Sequence, residues 1–137
     1  MLIRSSKVRL LKGIPFFAGC STDELEALSH LLTEVEFDEG TDVVREGDDS
    51  REFYVIVSGT ADVLKQGVSV RTLGRGEFFG EISNLFHAPR SATVTATEKL
   101  HVLVSDEPGF FQVIHGTEGL HKKIVYALVQ RLAPTAL

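Results

Sequence analysis

The chain has 137 residues, 43% of them hydrophobic, with 14 Lys and Arg against 19 Asp and Glu. Its formal net charge of −5 excludes a broad basic face for nucleic acid or anionic lipid, so any anion it binds has to be captured locally. One cysteine, Cys20, excludes an internal disulfide and a cysteine-built metal cluster, and no run approaches the roughly 18 apolar residues of a membrane span. The expectation is a single domain over residues 1–137, cytoplasmic, or on the cytosolic side if it belongs to a membrane protein.

Leu10-Leu11-Lys12-Gly13-Ile14-Pro15-Phe16-Phe17 is apolar but broken by Gly13 and Pro15, which predicts a packed helical turn in place of a long helix. Ser21-Thr22-Asp23-Glu24 has the capping-box form, and Leu25, Leu28, Leu31 and Leu32 follow at helical spacing. From residue 34 to 105 the period changes to two. Val35 and Phe37 alternate with Glu34, Glu36 and Asp38, and Val55/Val57, Val63, Val68/Val70 and Val102/Val104 mark further short strands. Gly40, Gly47, Ser58-Gly59, Gln66-Gly67 and Gly74 punctuate them as turns.

Gly80-Glu81-Ile82-Ser83-Asn84-Leu85-Phe86 does not alternate and predicts a short helix interrupting the strands. Pro108 to His115 predicts another helix, and Leu120, Ile124, Leu128 and Leu132 recur every four residues along a last one. The fold class is therefore mainly β with flanking helices (α+β). It is a double-stranded β-helix or jelly-roll-like roll over about residues 34–105, with helices before it and C-terminal helices over about 107–133.

A helix beginning at Gly80 presents unpaired N–H groups and a partial positive charge, which suits a phosphate. Arg90, stiffened by Pro89, carries a guanidinium able to fork onto two phosphate oxygens. Glu81, on the same first turn, would repel an anion; facing a sugar hydroxyl, it becomes useful. Together the three residues read as phosphate plus ribose.

Phe79-Gly80-Glu81 followed by Pro89-Arg90-Ser91-Ala92-Thr93-Val94 resembles the phosphate-binding cassette of the cyclic-nucleotide-binding domain family. Gly40, Glu46-Gly47-Asp48, Phe53-Tyr54-Val55-Ile56 and Ser58-Gly59 resemble that family's glycine-marked strand signature, so the likeness spans about residues 8–132. The resemblance implies that Glu81 holds the ribose 2′-OH and Arg90 pairs with the exocyclic phosphate oxygens. Gly80, Ile82 and Ser83 give backbone contacts, and Ser91 and Ala92 lie beside phosphate and purine. With Phe79 and Pro89 these form the expected ligand-binding set. Ser91, where a threonine would favour cGMP, directs the expectation to cAMP, with cGMP as the alternative. Asn84 departs from the family pattern, where a bulky apolar residue packs against the C-terminal helices; Leu85 or Phe86 is the expected replacement.

The implied function is a non-catalytic regulatory sensor whose C-terminal helices respond allosterically to ligand, with Gly116 and Gly119 as the expected hinge. The effector domain or partner protein is unidentified, and dimerisation is left open. Two other classes compete. One is a degenerate, non-binding member of the same fold. The other is a cupin-like metalloenzyme, against which His30, His87, His101, His115 and His121 are scattered and form no ligand cluster, so no metal is expected. The related catabolite-activator architecture needs a helix-turn-helix reader, which nothing in these residues supplies, so no nucleic acid is expected either.

Overall fold

The structure is a computed structural model, which describes residues 4–132. Helix α1 (Arg4–Lys12) stops at Gly13, and a 3-10 turn (Pro15–Phe17) follows, with Pro15 opening it, so the break predicted at Gly13 and Pro15 lies between two helical pieces. Helix α2 (Thr22–Ser29) begins with the expected capping box: Glu24 N–H donates to Ser21 Oγ and Ser21 N–H donates to Glu24 Oε1. It ends earlier than the leucine spacing suggests, leaving Leu31 and Leu32 beyond its end.

Eight strands follow where about seven were expected: β1 (Thr33–Phe37), β2 (Asp42–Val44), β3 (Phe53–Ser58), β4 (Ala61–Lys65), β5 (Val68–Leu73), β6 (Phe78–Phe79), β7 (Thr93–Ala96) and β8 (Leu100–Ser105). Between β6 and β7 lies the short helix α3 (Glu81–Phe86). The strands form two antiparallel sheets, ordered β1-β8-β3-β6 and β2-β7-β4-β5. Every in-sheet neighbour comes from a distant part of the chain except β4 and β5, whose hairpin turns on Gln66 and Gly67. Both have positive φ, at 51° and 78°, which matches the right-handed twist of the flanking strands.

Strand β3 explains how the layers are held together. Its residues 53–57 are all buried, because alternate side chains face two different cores. Phe53, Val55 and Val57 pack with Leu11, Phe16, Phe17, Leu25 and Phe110 against the helices, while Tyr54 and Ile56 pack with Leu73, Phe79, Val94 and Val102 between the sheets. Strand β6 does the same in two residues: Phe78 faces the helices and Phe79 the roll interior. Full burial of a phenylalanine is worth about 1.5–3 kcal/mol, so Phe53, with none of its surface exposed, is a principal joint between the layers.

Helix α4 (Glu107–Gly116) is capped by Asp106, whose Oδ1 accepts from Gly109 N–H at 2.8 Å, and helix α5 (Glu118–Leu132) follows directly. The break falls at extended Thr117 (φ −144°), and Gly119 lies inside α5 and not in a connection as expected. Leu120 and Ile124 are buried, but Leu128 is half-buried and Leu132 exposed, so the four-residue repeat meets the core only along its first half. No described helix is long and apolar enough to cross a membrane.

Candidate functional site

A cavity of about 320 Å³ opens between the second sheet, α3 and the end of α5. Val44, Val63, Leu73, Ala92 and Val94 give it an apolar wall; Phe79, Gly80, Glu81, Ile82 and Ser83 form the cassette side, with Arg90 and Ser91; Gln130 and Arg131 close it from α5. Eight of the nine residues expected from sequence thus line one space. Pro89 does not: it is exposed, and its ring shapes the backbone without reaching the cavity.

Gly80 is the N-cap of α3 with φ 98°, a left-handed conformation that costs any other residue. A Cβ there would lie 2.5 Å from Glu52 O and 3.0 Å from Arg90 Nη1, so the position also excludes a side chain by contact. The first N–H groups of α3 lack intrahelical acceptors and sit beside the same cavity.

Arg90 is 4% exposed. Its backbone is clamped by the Glu46-Gly47-Asp48 turn: Arg90 N–H donates to Asp48 O at 2.8 Å, and Gly47 N–H donates to Arg90 O at 2.9 Å. Its guanidinium is aimed by three acceptors, with Nε donating to Ser50 Oγ at 2.8 Å, Nη2 to Glu52 O at 2.8 Å and Nη1 to Gly80 O at 3.4 Å. Every one of these acceptors is neutral, and among the described residues no carboxylate pairs with Arg90. Burial accordingly pushes its pKa below the usual arginine value, a shift that nearby Tyr54 and Glu52 partly oppose. A buried cation with neutral partners, at the wall of a cavity, is an anion site short of its anion's charge. Ser50, which the sequence reading passed over, is part of that device.

Glu81 is 1% exposed, and both its carboxylate oxygens accept from Arg131 Nη1 at 2.7 Å. Arg131 Nη2 donates to Phe78 O at 2.7 Å, and its guanidinium lies 4.7 Å from the centroid of the Phe78 ring. One α5 side chain therefore grips both flanks of Gly80. Fifty residues separate Arg131 from Glu81, and no local spacing in the sequence announces such a pair.

Asn84 faces inward with none of its surface exposed, and neither its Oδ1 nor its Nδ2 has a hydrogen-bond partner. Of the two expected replacements, Leu85 packs on the helix-side core, whereas Phe86 is 55% exposed. His87 ends α3 in a left-handed conformation, φ 49°, and its Nδ1 lies 3.9 Å from Glu107 Oε2 on α4.

The family model for the cyclic nucleotide-binding domain matches residues 34–116, which run from β1 through the cassette to the end of α4. The chain belongs to the cyclic nucleotide-binding domain family. The cAMP-dependent protein kinase regulatory subunit of Yarrowia lipolytica is 38% identical over 113 residues, covering 81% of this chain and 30% of that protein. Among solved structures, the regulatory subunit of a cAMP-independent protein kinase A from Trypanosoma brucei superposes with TM-score 0.81 at 23% identity, over 91% of this chain and 45% of that one. A cAMP-binding acyltransferase from Mycobacterium smegmatis does so with TM-score 0.81 at 30% identity, over 96% of this chain and 42% of that one. The chain spans less than a third of the curated relative's length and under half of either solved chain, and the shared fold is the β-roll with flanking helices expected from sequence.

Proposed function

We propose that this cyclic nucleotide-binding domain takes a cyclic nucleoside monophosphate, cAMP in the first place, and acts as a regulatory sensor with no catalysis of its own. The observation that carries this is Arg90: buried, aimed by Ser50, Glu52 and Gly80, and without a carboxylate partner among the described residues where the cavity meets α3. A cyclic phosphodiester supplies one negative charge, which matches one guanidinium. The cavity volume falls at the lower end of the range of about 300–1,000 Å³ typical of small-ligand sites. The described lining contains no histidine or cysteine, so it offers none of the imidazoles from which a cupin-like metal site is built.

Glu81 supplies the ribose contact. A carboxylate has about four lone-pair sites, and Arg131 engages one on each oxygen, which leaves others for a 2′-hydroxyl. Any ligand that pulls on Glu81 therefore acts on α5 through Arg131, and α5 meets α4 at the Thr117 break. Binding shifts the α5 equilibrium by the difference in ligand affinity between its arrangements. The relatives' names attach such modules to kinase regulation and, in the mycobacterial protein, to an acyltransferase. An effector partner or fused domain is proposed here on the same ground, in a cytoplasmic setting. That the trypanosomal subunit is described as cAMP-independent makes the lining residues, and not the roll, the basis for naming cAMP.

The test is Arg90→Lys, which keeps the charge but loses the fork that matches two oxygens. Its affinity for cAMP in equilibrium titration is expected to fall by about tenfold or more, the equivalent of about 1.4 kcal/mol. Undiminished affinity in a folded Arg90→Lys protein would remove Arg90 from the phosphate site.

A further inference from the structure

The β4–β5 hairpin turns one face to the ligand cavity, and that face changes character along its length. At the base of the hairpin Ala61 and Leu73 stand opposite each other and are buried. Nearer the turn Val63 stands opposite Arg71, and Lys65 follows on the same face of β4, because alternate residues of a strand share a face. Val63, Lys65 and Arg71 all line the cavity, and both cations are exposed. The apolar wall therefore ends in a positively charged rim. Among the described residues neither Lys65 nor Arg71 has an ion pair or a side-chain hydrogen bond. The nearby acid, Glu46, lies outside the lining and accepts from Gln66 N–H at 2.9 Å.

The lining sets the cations Lys65, Arg71, Arg90 and Arg131 against one acid, Glu81, whose charge Arg131 matches. Lys65, Arg71 and Arg90 are thus in excess, while a cyclic phosphodiester brings one negative charge. Approach to that charge is opposed by the molecule as a whole, with its formal net charge of −5. Arg90 is buried and suited to holding the phosphate. The two rim cations are exposed, and an exposed charge adds little to the stability of a contact. Its field still extends over a Debye length of about 8 Å at physiological ionic strength, so it acts on a ligand before the ligand touches the wall.

We infer that Lys65 and Arg71 form an electrostatic gateway: they draw the anionic nucleotide to the cavity mouth against the repulsion of an acidic molecule and deliver its phosphate inward to Arg90. This rests on the cyclic-nucleotide reading above and adds the route by which the ligand arrives. It divides the cations by role. Rim charges set kon and its dependence on salt, whereas the buried, hydrogen-bonded Arg90 sets koff.

The experiment is stopped-flow mixing with a cAMP that carries a fluorophore on its purine ring, with koff measured separately by chase with excess unlabelled cAMP. Wild type is compared with the double variant Lys65→Gln/Arg71→Gln and with Lys12→Gln/Lys99→Gln, which removes the same charge from exposed positions outside the lining. For the rim variant kon is expected to fall about two- to threefold at about 0.15 M salt and about five- to tenfold at about 0.01 M, with koff unchanged within about twofold. The control variant is expected to stay within about twofold of wild type at both salt concentrations. Three results would overturn the gateway while leaving the cyclic-nucleotide reading intact. They are an unchanged kon, an equal fall in rim and control variants, which would assign the effect to net charge, or a rise in koff at constant kon, which would make Lys65 and Arg71 contacts of the bound ligand. A wild-type protein that binds no cAMP would overturn that reading, and the gateway with it.

Discussion

At Asn84 two polar atoms are buried without partners, in the middle of a six-residue helix. Leaving a buried amide unpaired costs about 1–3 kcal/mol, and a leucine, with the same branching and no polar atoms, does not bear that cost. Asn84→Leu is therefore expected to raise the unfolding free energy by about that amount in urea titration. An unchanged or lowered stability would show that the amide is satisfied in solution. The unpaired amide thus makes the α3 helix less stable than a fully apolar residue there would. Gly80 works in the opposite sense: its left-handed backbone and the 2.5 Å approach to Glu52 O leave no freedom of substitution.

Helix α5 is fastened at both ends by different chemistry. Near its start, Lys123 Nζ donates to the carbonyls of Pro15, Phe16 and Ala18, while Leu120 and Ile124 are buried in the helix-side core. Near its end the fastening is Arg131 on Glu81 and Phe78, and the apolar side chains Val125, Val129 and Leu132 are exposed. The second half therefore depends on one side chain more than on packing. Arg131→Ala is expected to speed amide hydrogen exchange over residues 126–132 while residues 120–124 keep their protection; equal change along the helix, or none, would contradict that division. This element also shows where sequence reasoning ran short. Its existence and its buried Leu120 and Ile124 were legible from a four-residue repeat. Its response to ligand was expected from the resemblance, but the side chains at the cavity were not legible, because Arg131 meets Glu81 and Gln130 meets the cavity only once the chain has turned back across the whole roll.

For the whole molecule, the two-residue alternation and the glycine turns were enough to read a roll flanked by helices, and the Phe79-Gly80-Glu81 and Pro89-Arg90 segments located the cassette. What periodicity missed has a physical reason in each case. Strand β3 is buried on both faces, so its sequence is uniformly apolar and says nothing about which sheet it joins. Ser50 serves Arg90 from forty residues away, and the apolar wall of Val44, Val63, Leu73 and Val94 is drawn from strands that pair non-sequentially. The cassette was legible because its chemistry is local, with a helix start, an acid and an arginine close together in the chain. The opposite wall of the cavity was not, since its residues come from β2, β4, β5, β7 and α5. The central claim is that this assembled space holds cAMP. Its most direct test is calorimetric titration of the ligand-stripped protein with cAMP and cGMP under identical conditions. Saturable one-to-one binding, tighter for cAMP, is the predicted result; no heat of binding with either nucleotide would contradict the account.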